Sequence, residues 1–324
     1  MKFKPFAYLL SLVVVLLSLF YLLNNYAPMT DYIWRLRVSK LTAYIVIVLA
    51  IVPSTFAFQT LFRSHYLSPN VLGMDAIFSL CQTLIFFIGS RFMNREVGTL
   101  TTSSFLINLV LMLFFSALLY IAVRPRQLSK RFDESLLIML GLILSQLIRS
   151  LTTFMQVIMD PSDYDALFSR LNPSFQRIST SLLIIGMVIV LIGLVILFKY
   201  SSVLDVIKVD HDTAASLGIN IQKVTYQLIF IIVLMIGTST AIVGPLTFLG
   251  FMIANITYQF THISHHWQYF IIGSLLGLIM VIGGQWVNES LLNNHYNLSV
   301  IVDVAGALMF FTLLFKGGRA YQTQ

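Results

Sequence analysis

The sequence predicts an all-α polytopic membrane protein that forms one transmembrane domain over residues 1–324. Hydrophobic residues make up 58% of its 324 residues and charged residues only 10%, whereas soluble domains average about 45–50% and about 25%. Apolar residues recur in long runs along the whole chain, without the alternation that is typical of barrel strands. This composition excludes a soluble enzyme, a nucleic-acid-binding module, a disordered chain and a disulfide scaffold, because too few polar residues are present to cover so much apolar surface.

Ten apolar runs are long enough to cross the hydrocarbon core, which takes about 20 helical residues. The first follows two lysines and has no small-residue cleavage site after it, so we predict an uncleaved span rather than a signal peptide. The eighth is short and opens with Gly244 and Pro245. Polar or basic loops separate the runs. The ten predicted spans are 6–23, 41–62, 71–90, 104–123, 135–159, 180–199, 225–243, 244–260, 267–287 and 298–315.

The distribution of basic residues predicts the orientation of these spans. An even number of spans places both termini on one side. With the N-terminus in the cytoplasm, twelve Lys and Arg residues fall in cytoplasmic segments and seven in outer segments, an excess in the direction of the positive-inside rule. We therefore predict that the N-terminus and the C-terminus are both cytoplasmic. The same bias explains the net charge of +7 without any nucleic-acid partner.

Residue types that carry catalysis or bind metals are sparse. No G-x-x-x-x-G-K-[ST] or G-x-S-x-G motif is present, so we expect neither a nucleotide site nor a cofactor. The single cysteine, Cys81, is predicted to be a core residue. His262, His265 and His266 are predicted to be solvated loop histidines, since no Cys or carboxylate accompanies them at ligand spacing. The acidic segment Asp160–Asp165 is predicted to be an outer, helix-capping turn.

The longest predicted cytoplasmic segment, residues 200–223, contains a short helix within Val209–Gly218. Asp210 or Asp212 can cap its N-terminus, and Gly218 suits the left-handed residue after its C-terminus. Its Ala, Ser and Thr side chains are small enough for another protein to approach closely. Since so short a helix is marginal alone, we expect a partner or the membrane domain to hold it, although a simple capped turn between spans is the alternative.

Five polar residues lie within or beside predicted spans. A charge inside the membrane usually faces a partner or a wet cavity, whereas amides often join neighbouring helices. For Arg149 and Glu289, lining of a translocation pathway and a structural ion pair are equal alternatives. The candidate pathway residues are Gln59, Arg149, Gln285, Asn288 and Glu289.

Five sequence blocks, in order and spacing, carry a resemblance to a known family. The blocks are Arg37-Val-Ser-Lys40, Gln59-x-x-x-Arg63 with Pro69 and Leu72-Gly73, Ala214-Ala-Ser-Leu-Gly218, Gly244-Pro-Leu-Thr-Phe-Leu-Gly250, and Leu298 to Arg319 with Phe315-Lys-Gly-Gly. Together they resemble permease subunits of ABC importers for ferric siderophores, haem and cobalamin, the FecCD or BtuC-like type II importer family. The resemblance extends from about residue 35 to residue 319.

The sequence also departs from the common family pattern. Phe251–Gln259 replaces a frequent I-x-P-H-x-x-R block, and no basic residue occupies the end of the ninth span. Phe58–Thr60, Leu72–Asp75 and Gly284–Glu289 more closely resemble the branch that handles catecholate siderophores of the petrobactin type. Haem and cobalamin are therefore disfavoured as cargo.

The resemblance implies a function and an assembly. It implies a permease of the bacterial cytoplasmic membrane that translocates a ferric siderophore and is not itself an enzyme. Its partners would be a second permease chain in a heterodimer, two cytoplasmic ABC ATPases and an extracytoplasmic siderophore-binding protein. Arg37 and Lys40 would receive acidic residues of that binding protein, although snorkelling at the headgroups is an alternative. The helix that contacts the ATPase would comprise Asp212, Thr213, Ala214, Ala215, Ser216, Leu217 and Gly218.

Two other function classes remain open from the residues alone. An ion-coupled secondary transporter would use Glu289, Asp303 and Arg149 as a relay. A membrane-embedded transferase would hold Mg²⁺ at Asp160–Asp165, but it needs a second, facing acidic cluster that the sequence does not show.

Overall fold

The computed structural model describes residues 3–23, 31–65, 67–93, 102–123, 134–175, 178–260, 265–290 and 297–320. Within these ranges every regular element is helical, and a short 3₁₀ helix at Pro69–Leu72 precedes the third α-helix. The α-helices are α1 Phe3–Leu23, α2 Asp31–Leu61, α3 Met74–Met93, α4 Thr102–Val123, α5 Glu134–Val157, α6 Pro161–Leu171, α7 Thr180–Val209, α8 His211–Ser216, α9 Ile221–Val243, α10 Leu249–Phe260, α11 His266–Ser290 and α12 Leu298–Ala320.

The helices match the predicted membrane protein. Each of the ten predicted spans overlaps one helix, namely α1 to α5, α7, or α9 to α12. By length and composition, six helices in the described parts of the chain can cross a membrane: α1, α2, α5, α7, α9 and α11. Shorter apolar stretches lie in α3, α4 and α12. Helix α10 has 12 residues, which at about 1.5 Å per residue is too short to cross alone.

Several predicted boundaries are wrong. Helix α2 begins at Asp31 instead of residue 41, and α7 continues to Val209 instead of ending at residue 199. The added turns carry Arg35, Arg37 and Lys208, so each helix continues beyond its apolar run. This is possible because the hydrogen bonds of a helix do not require apolar side chains. Gly244–Phe248 stays outside α10, because Gly244 has a φ of 103° and Pro245 follows it.

Helix α2 lies at the centre of the bundle. It packs against α7, α9, α10 and α11, and its side chains from Ala43 to Leu61 are almost all buried. An apolar surface on every side is what a helix surrounded by other helices requires. Helices α1 and α5 instead expose most of their apolar side chains, as expected for surfaces that meet lipid or another membrane subunit. The core therefore surrounds α2, and the functional residues lie near its two ends.

Glycines on α11 permit its close contact with α2. A Cβ atom added at Gly273 would lie 2.4 Å from Cε2 of Phe56, whose ring is fully buried and packs edge-to-face on the ring of Tyr258. A Cβ atom at Gly283, on the same helix, would have no atom within 4 Å. The two positions therefore separate the effect of helix propensity from the effect of packing.

We expect Gly273→Ala and Gly283→Ala to change stability in opposite directions. At Gly283 the substitution gains about 0.5–1 kcal/mol of helix propensity. At Gly273 overpacking against Phe56 outweighs that gain and costs about 1–3 kcal/mol. Thermal unfolding in detergent, followed by intrinsic fluorescence, measures both variants. Equal or higher melting temperatures for Gly273→Ala would contradict the close packing of α11 on α2.

Candidate functional site

Helix α8 has the geometry of the predicted short helix. The carbonyl of Asp210 accepts the Ala214 amide at 3.0 Å, and Gly218 follows the helix with a φ of 83°. Ala214 is completely buried, whereas Thr213, Ala215, Ser216 and Leu217 are exposed, Leu217 to 66%. One alanine thus anchors α8 on the bundle, and the opposite face, which ends in an exposed leucine, is open to a partner.

Arg63 links α8 to the end of α2. Its Nη2 lies 2.6 Å from Oδ1 of Asp210, the residue that joins α7 to α8. Arg63 has a φ of 47°, in the left-handed region that non-glycine residues seldom adopt. The loop that holds it is fixed by Gln59, whose Nε2 donates to the carbonyls of His65 and Leu67 at 2.9 and 3.2 Å. Gln59, predicted to line a pathway, is buried and supports this loop.

Asp205 links α7 to the start of α11. Its carboxylate accepts the backbone N–H of His266 at 2.7 Å and pairs with Nδ1 of both His265 and His266. Nε2 of His266 lies 2.7 Å from Oγ1 of Thr60 on α2. We call the group Thr60, Arg63, Asp205, Asp210 and His266 the α8 junction, since it joins α2, α7 and α11 next to α8.

The histidine prediction is therefore wrong in part. His266 is buried and hydrogen-bonded, and a carboxylate does accompany it. That carboxylate, Asp205, lies about 60 residues earlier in the chain, so local spacing could not indicate it. His265 is exposed and also contacts Asp205. His262 lies outside the described residues. Among the residues that the structure describes, no group of three His, Cys, Asp or Glu side chains could hold a metal ion.

A second polar cluster lies at the opposite end of α2 and α11. Arg37 Nη1 donates to the carbonyls of Tyr21 and Leu22 at 3.0 and 3.3 Å, which places a cation at the C-terminus of α1, where the helix dipole favours it. The hydroxyl of Tyr21 donates a hydrogen bond to Glu289 at 3.3 Å, and Nε2 of Gln285 donates one to the same carboxylate at 2.7 Å. Predicted docking and pathway residues thus meet in one cluster.

The other two predicted residues near this cluster are Lys40 and Asn288. Lys40 is half-buried and within electrostatic range of Glu289 and Arg37. Asn288 is buried on α11. The cluster joins α1, α2 and α11, so it holds the bundle together as well as placing positive charge at its rim.

Arg149 belongs to an exposed polar stripe on α5. Gln146, Arg149, Ser150 and Thr153 are all exposed, and their spacing of three or four residues places them on one side of the helix. This spacing is visible in the sequence, but only Arg149 was predicted to line a pathway. An arginine that faced lipid would be costly, so this stripe requires water or another protein.

Near Arg149 lies the buried carboxylate of Asp75, and near Asp75 lies the half-buried carboxylate of Asp303. Asp75 on α3 accepts a hydrogen bond from Oγ1 of Thr247 at 3.0 Å, and Asp303 on α12 accepts one from the backbone of Phe248. Arg149 and Asp303 both lie within electrostatic range of Asp75. The structure does not bring the predicted relay of Glu289, Asp303 and Arg149 together, because Glu289 contacts Tyr21 and Gln285 instead.

The acidic segment Asp160–Asp165 forms the start of a helix instead of a simple turn. Asp160 precedes α6, with Pro161 at its first position and Leu167 buried beneath it. The side chain of Asp160 makes no capping hydrogen bond. In the described part of the chain no second acidic group faces this segment to complete a metal site.

Sequence comparisons with known proteins identify one family, and a solved structure has the same fold. The model of the FecCD transport family matches residues 6–316. The petrobactin import permease YclO of Bacillus subtilis is 32% identical over 317 residues, 96% of each chain, and the petrobactin import permease FatC of Bacillus anthracis is 29% identical over 283 residues, covering 86% of this chain and 78% of its own. A solved inward-facing structure, assigned to the metal-chelate type of ABC transporter, superposes with a TM-score of 0.84 at 20% identity, over 97% of this chain and all of its own.

Proposed function

The chain belongs to the FecCD transport family, and from this premise we propose that it carries a ferric siderophore of the catecholate type across the bacterial cytoplasmic membrane. Members of this family are transport permease subunits and not enzymes, and they work with ATPase and substrate-binding partners. The family match over residues 6–316 carries the proposal. The petrobactin permeases YclO and FatC support the cargo class.

We infer that residues 1–324 act as one transmembrane domain with both termini in the cytoplasm. In this orientation α8 faces the cytoplasm, where two ABC ATPases would contact it. The exposed side chains of Thr213, Ala215, Ser216 and Leu217 form the contact surface, while buried Ala214 anchors the helix. No nucleotide motif occurs in the chain, so the free energy for transport comes from these partners.

The α8 junction supplies a route from the ATPase to the bundle. A displacement of α8 moves Asp210 and therefore Arg63 on the end of α2. It also moves α7, whose Asp205 holds the start of α11 through His266. Since a ligand can shift an equilibrium only by contacting the two states differently, ATP binding must change the contacts at α8. Movement of α2 and α11 then changes the pathway.

We propose that the polar stripe on α5 faces a second, different permease chain across an aqueous pathway. Burial of Arg149 between two subunits or beside water removes the cost of exposing it to lipid. Gln285, Asn288 and Glu289 lie near the outer end of the same route, together with the Arg37 cluster. Gln59 would act on the inner end through the loop that it supports.

We propose that Arg37 and Lys40 present positive charge to acidic residues of the binding protein. Because Arg37 also holds the end of α1, Lys40→Glu is the cleaner test. Opposite charges at a rim mainly speed association, so we expect a several-fold slower association with the loaded binding protein at low salt and a smaller effect at high salt. Surface plasmon resonance measures the rate. Lys199→Glu is the control, and equal association rates for the two variants would remove the docking role.

We expect Ala215→Trp to uncouple ATP hydrolysis from transport. The side chain is exposed on α8, so the bulky ring blocks the ATPase contact without overpacking the bundle. The matched control is Ala166→Trp, an exposed alanine on the other short helix, α6. Uptake and hydrolysis are measured together in proteoliposomes that hold the assembled transporter. The expected result is about ten-fold less uptake per ATP hydrolysed for Ala215→Trp alone, and wild-type coupling in that variant would refute the assignment of α8.

A further inference from the structure

A cavity of about 440 Å³ lies beside α8. Its walls come from the end of α2 and the loop after it, the end of α7, the end of α10 and the start of α11. The α8 junction forms one side of this cavity through Arg63, Asp210 and His266. Its volume falls in the lower part of the range of about 300–1,000 Å³ that is typical of small-molecule sites.

The charges that line the cavity favour an anion. Arg63 and Lys208 are the lining cations, and Asp210, the lining carboxylate, is paired with Arg63 at 2.6 Å. The lining cations therefore outnumber the lining carboxylate by one, and Lys208 supplies the additional positive charge. Its Nζ lies 3.4 Å from the hydroxyl of Tyr269 and 4.7 Å from the centre of that ring. Burial and the nearby Lys208 lower the pKa of His65, so this histidine is neutral at pH 7.

Four aromatic side chains also line the cavity. The rings of His65 and Tyr258 lie 4.5 Å apart, those of Tyr258 and Tyr269 lie 5.3 Å apart, and those of Tyr269 and His266 lie 6.1 Å apart. Each pair meets edge-to-face, so the four rings form a continuous surface. Such a surface favours contact with a planar ring, which gains both apolar burial and ring–ring electrostatics.

Gln59 supplies a hydrogen-bond acceptor at the cavity wall. Its Nε2 is used by the carbonyls of His65 and Leu67, and these two acceptors fix the orientation of the amide. Its Oε1 is buried without a partner, and the side chain is 1% exposed at the cavity wall. Because a buried acceptor without a donor is costly, the cavity suits a ligand that carries a hydroxyl.

We propose that this cavity binds a small hydroxylated benzoate. Its carboxylate pairs with Lys208, its ring packs on the wall of Tyr258 and Tyr269, and a ring hydroxyl donates to Oε1 of Gln59. The site rests on the proposed function only for its side of the membrane, which is the cytoplasmic side if α8 is cytoplasmic.

The test uses the full chain in nanodiscs, without ATPase, and protocatechuate, a benzoate with two neighbouring hydroxyls. Isothermal titration calorimetry should show saturable binding with one site per chain. Benzoate lacks the hydroxyls and catechol lacks the carboxylate, and each should bind about ten-fold or more weakly, because each loses one of the two polar contacts. Absence of saturable protocatechuate binding, or equal binding of all three compounds, would overturn the proposal.

Substitutions in the cavity wall test whether protocatechuate binds in this cavity. Lys208→Met should weaken protocatechuate binding about ten-fold, whereas Lys199→Met, which removes an exposed lysine on the same helix, should leave it unchanged. Tyr258→Leu removes part of the ring wall and should also weaken binding, which keeps the test decisive if Lys208→Met does not fold. Equal binding by the Lys208 and Lys199 variants would contradict the site. Siderophore uptake with no protocatechuate binding would refute this inference alone, and binding without uptake would refute the proposed transport alone.

Discussion

The α8 junction is the interaction on which the rest of the structure depends. Helix α2 crosses the centre of the bundle with mostly apolar, buried side chains, so most of its polar contacts to other helices lie near its ends. At one end Thr60 and Arg63 meet His266 and Asp210. This end is also where α7 leaves the bundle and turns into α8. The polar contacts at this end connect a surface helix with the helix at the centre of the bundle.

The Arg63–Asp210 pair and the Asp205–His266 contacts differ in strength, and this difference indicates what each contact does. Arg63 and Asp210 are each more than 40% exposed, and exposed ion pairs contribute about 0–1 kcal/mol. Asp205 is 22% exposed and His266 only 3%, so their contacts are better shielded from water and the junction between α7 and α11 is the firmer of the two. A weak link to α8 and a firmer link within the bundle suit the proposed gate, in which a partner would break and remake the contacts of α8 in each cycle.

Sequence reasoning found the helices more reliably than the contacts. Each of the ten predicted spans overlaps a helix, and Gly218 predicted the left-handed end of α8. The ends of α2 and α7 were misplaced because hydropathy reports the lipid boundary rather than the helix boundary. The pairing of Asp205 with His266 and the cluster around Glu289 join residues far apart in the chain, which no local pattern encodes. The polar residues of the stripe on α5 recur every three or four positions in the sequence, but only Arg149 was predicted to be functional.

The transmission of movement through Arg63 and Asp210 is tested most directly by exchanging their charges. Asp tolerates left-handed backbone better than most residues, and Asp210 is extended, so Arg63→Asp and Asp210→Arg suit their positions. Siderophore uptake per ATP hydrolysed should fall a few-fold in each single variant, the most that a contact of about 1 kcal/mol allows, and should recover in the double variant. Unchanged coupling in the single variants, or no recovery in the double variant, would contradict a gate that is driven through α8.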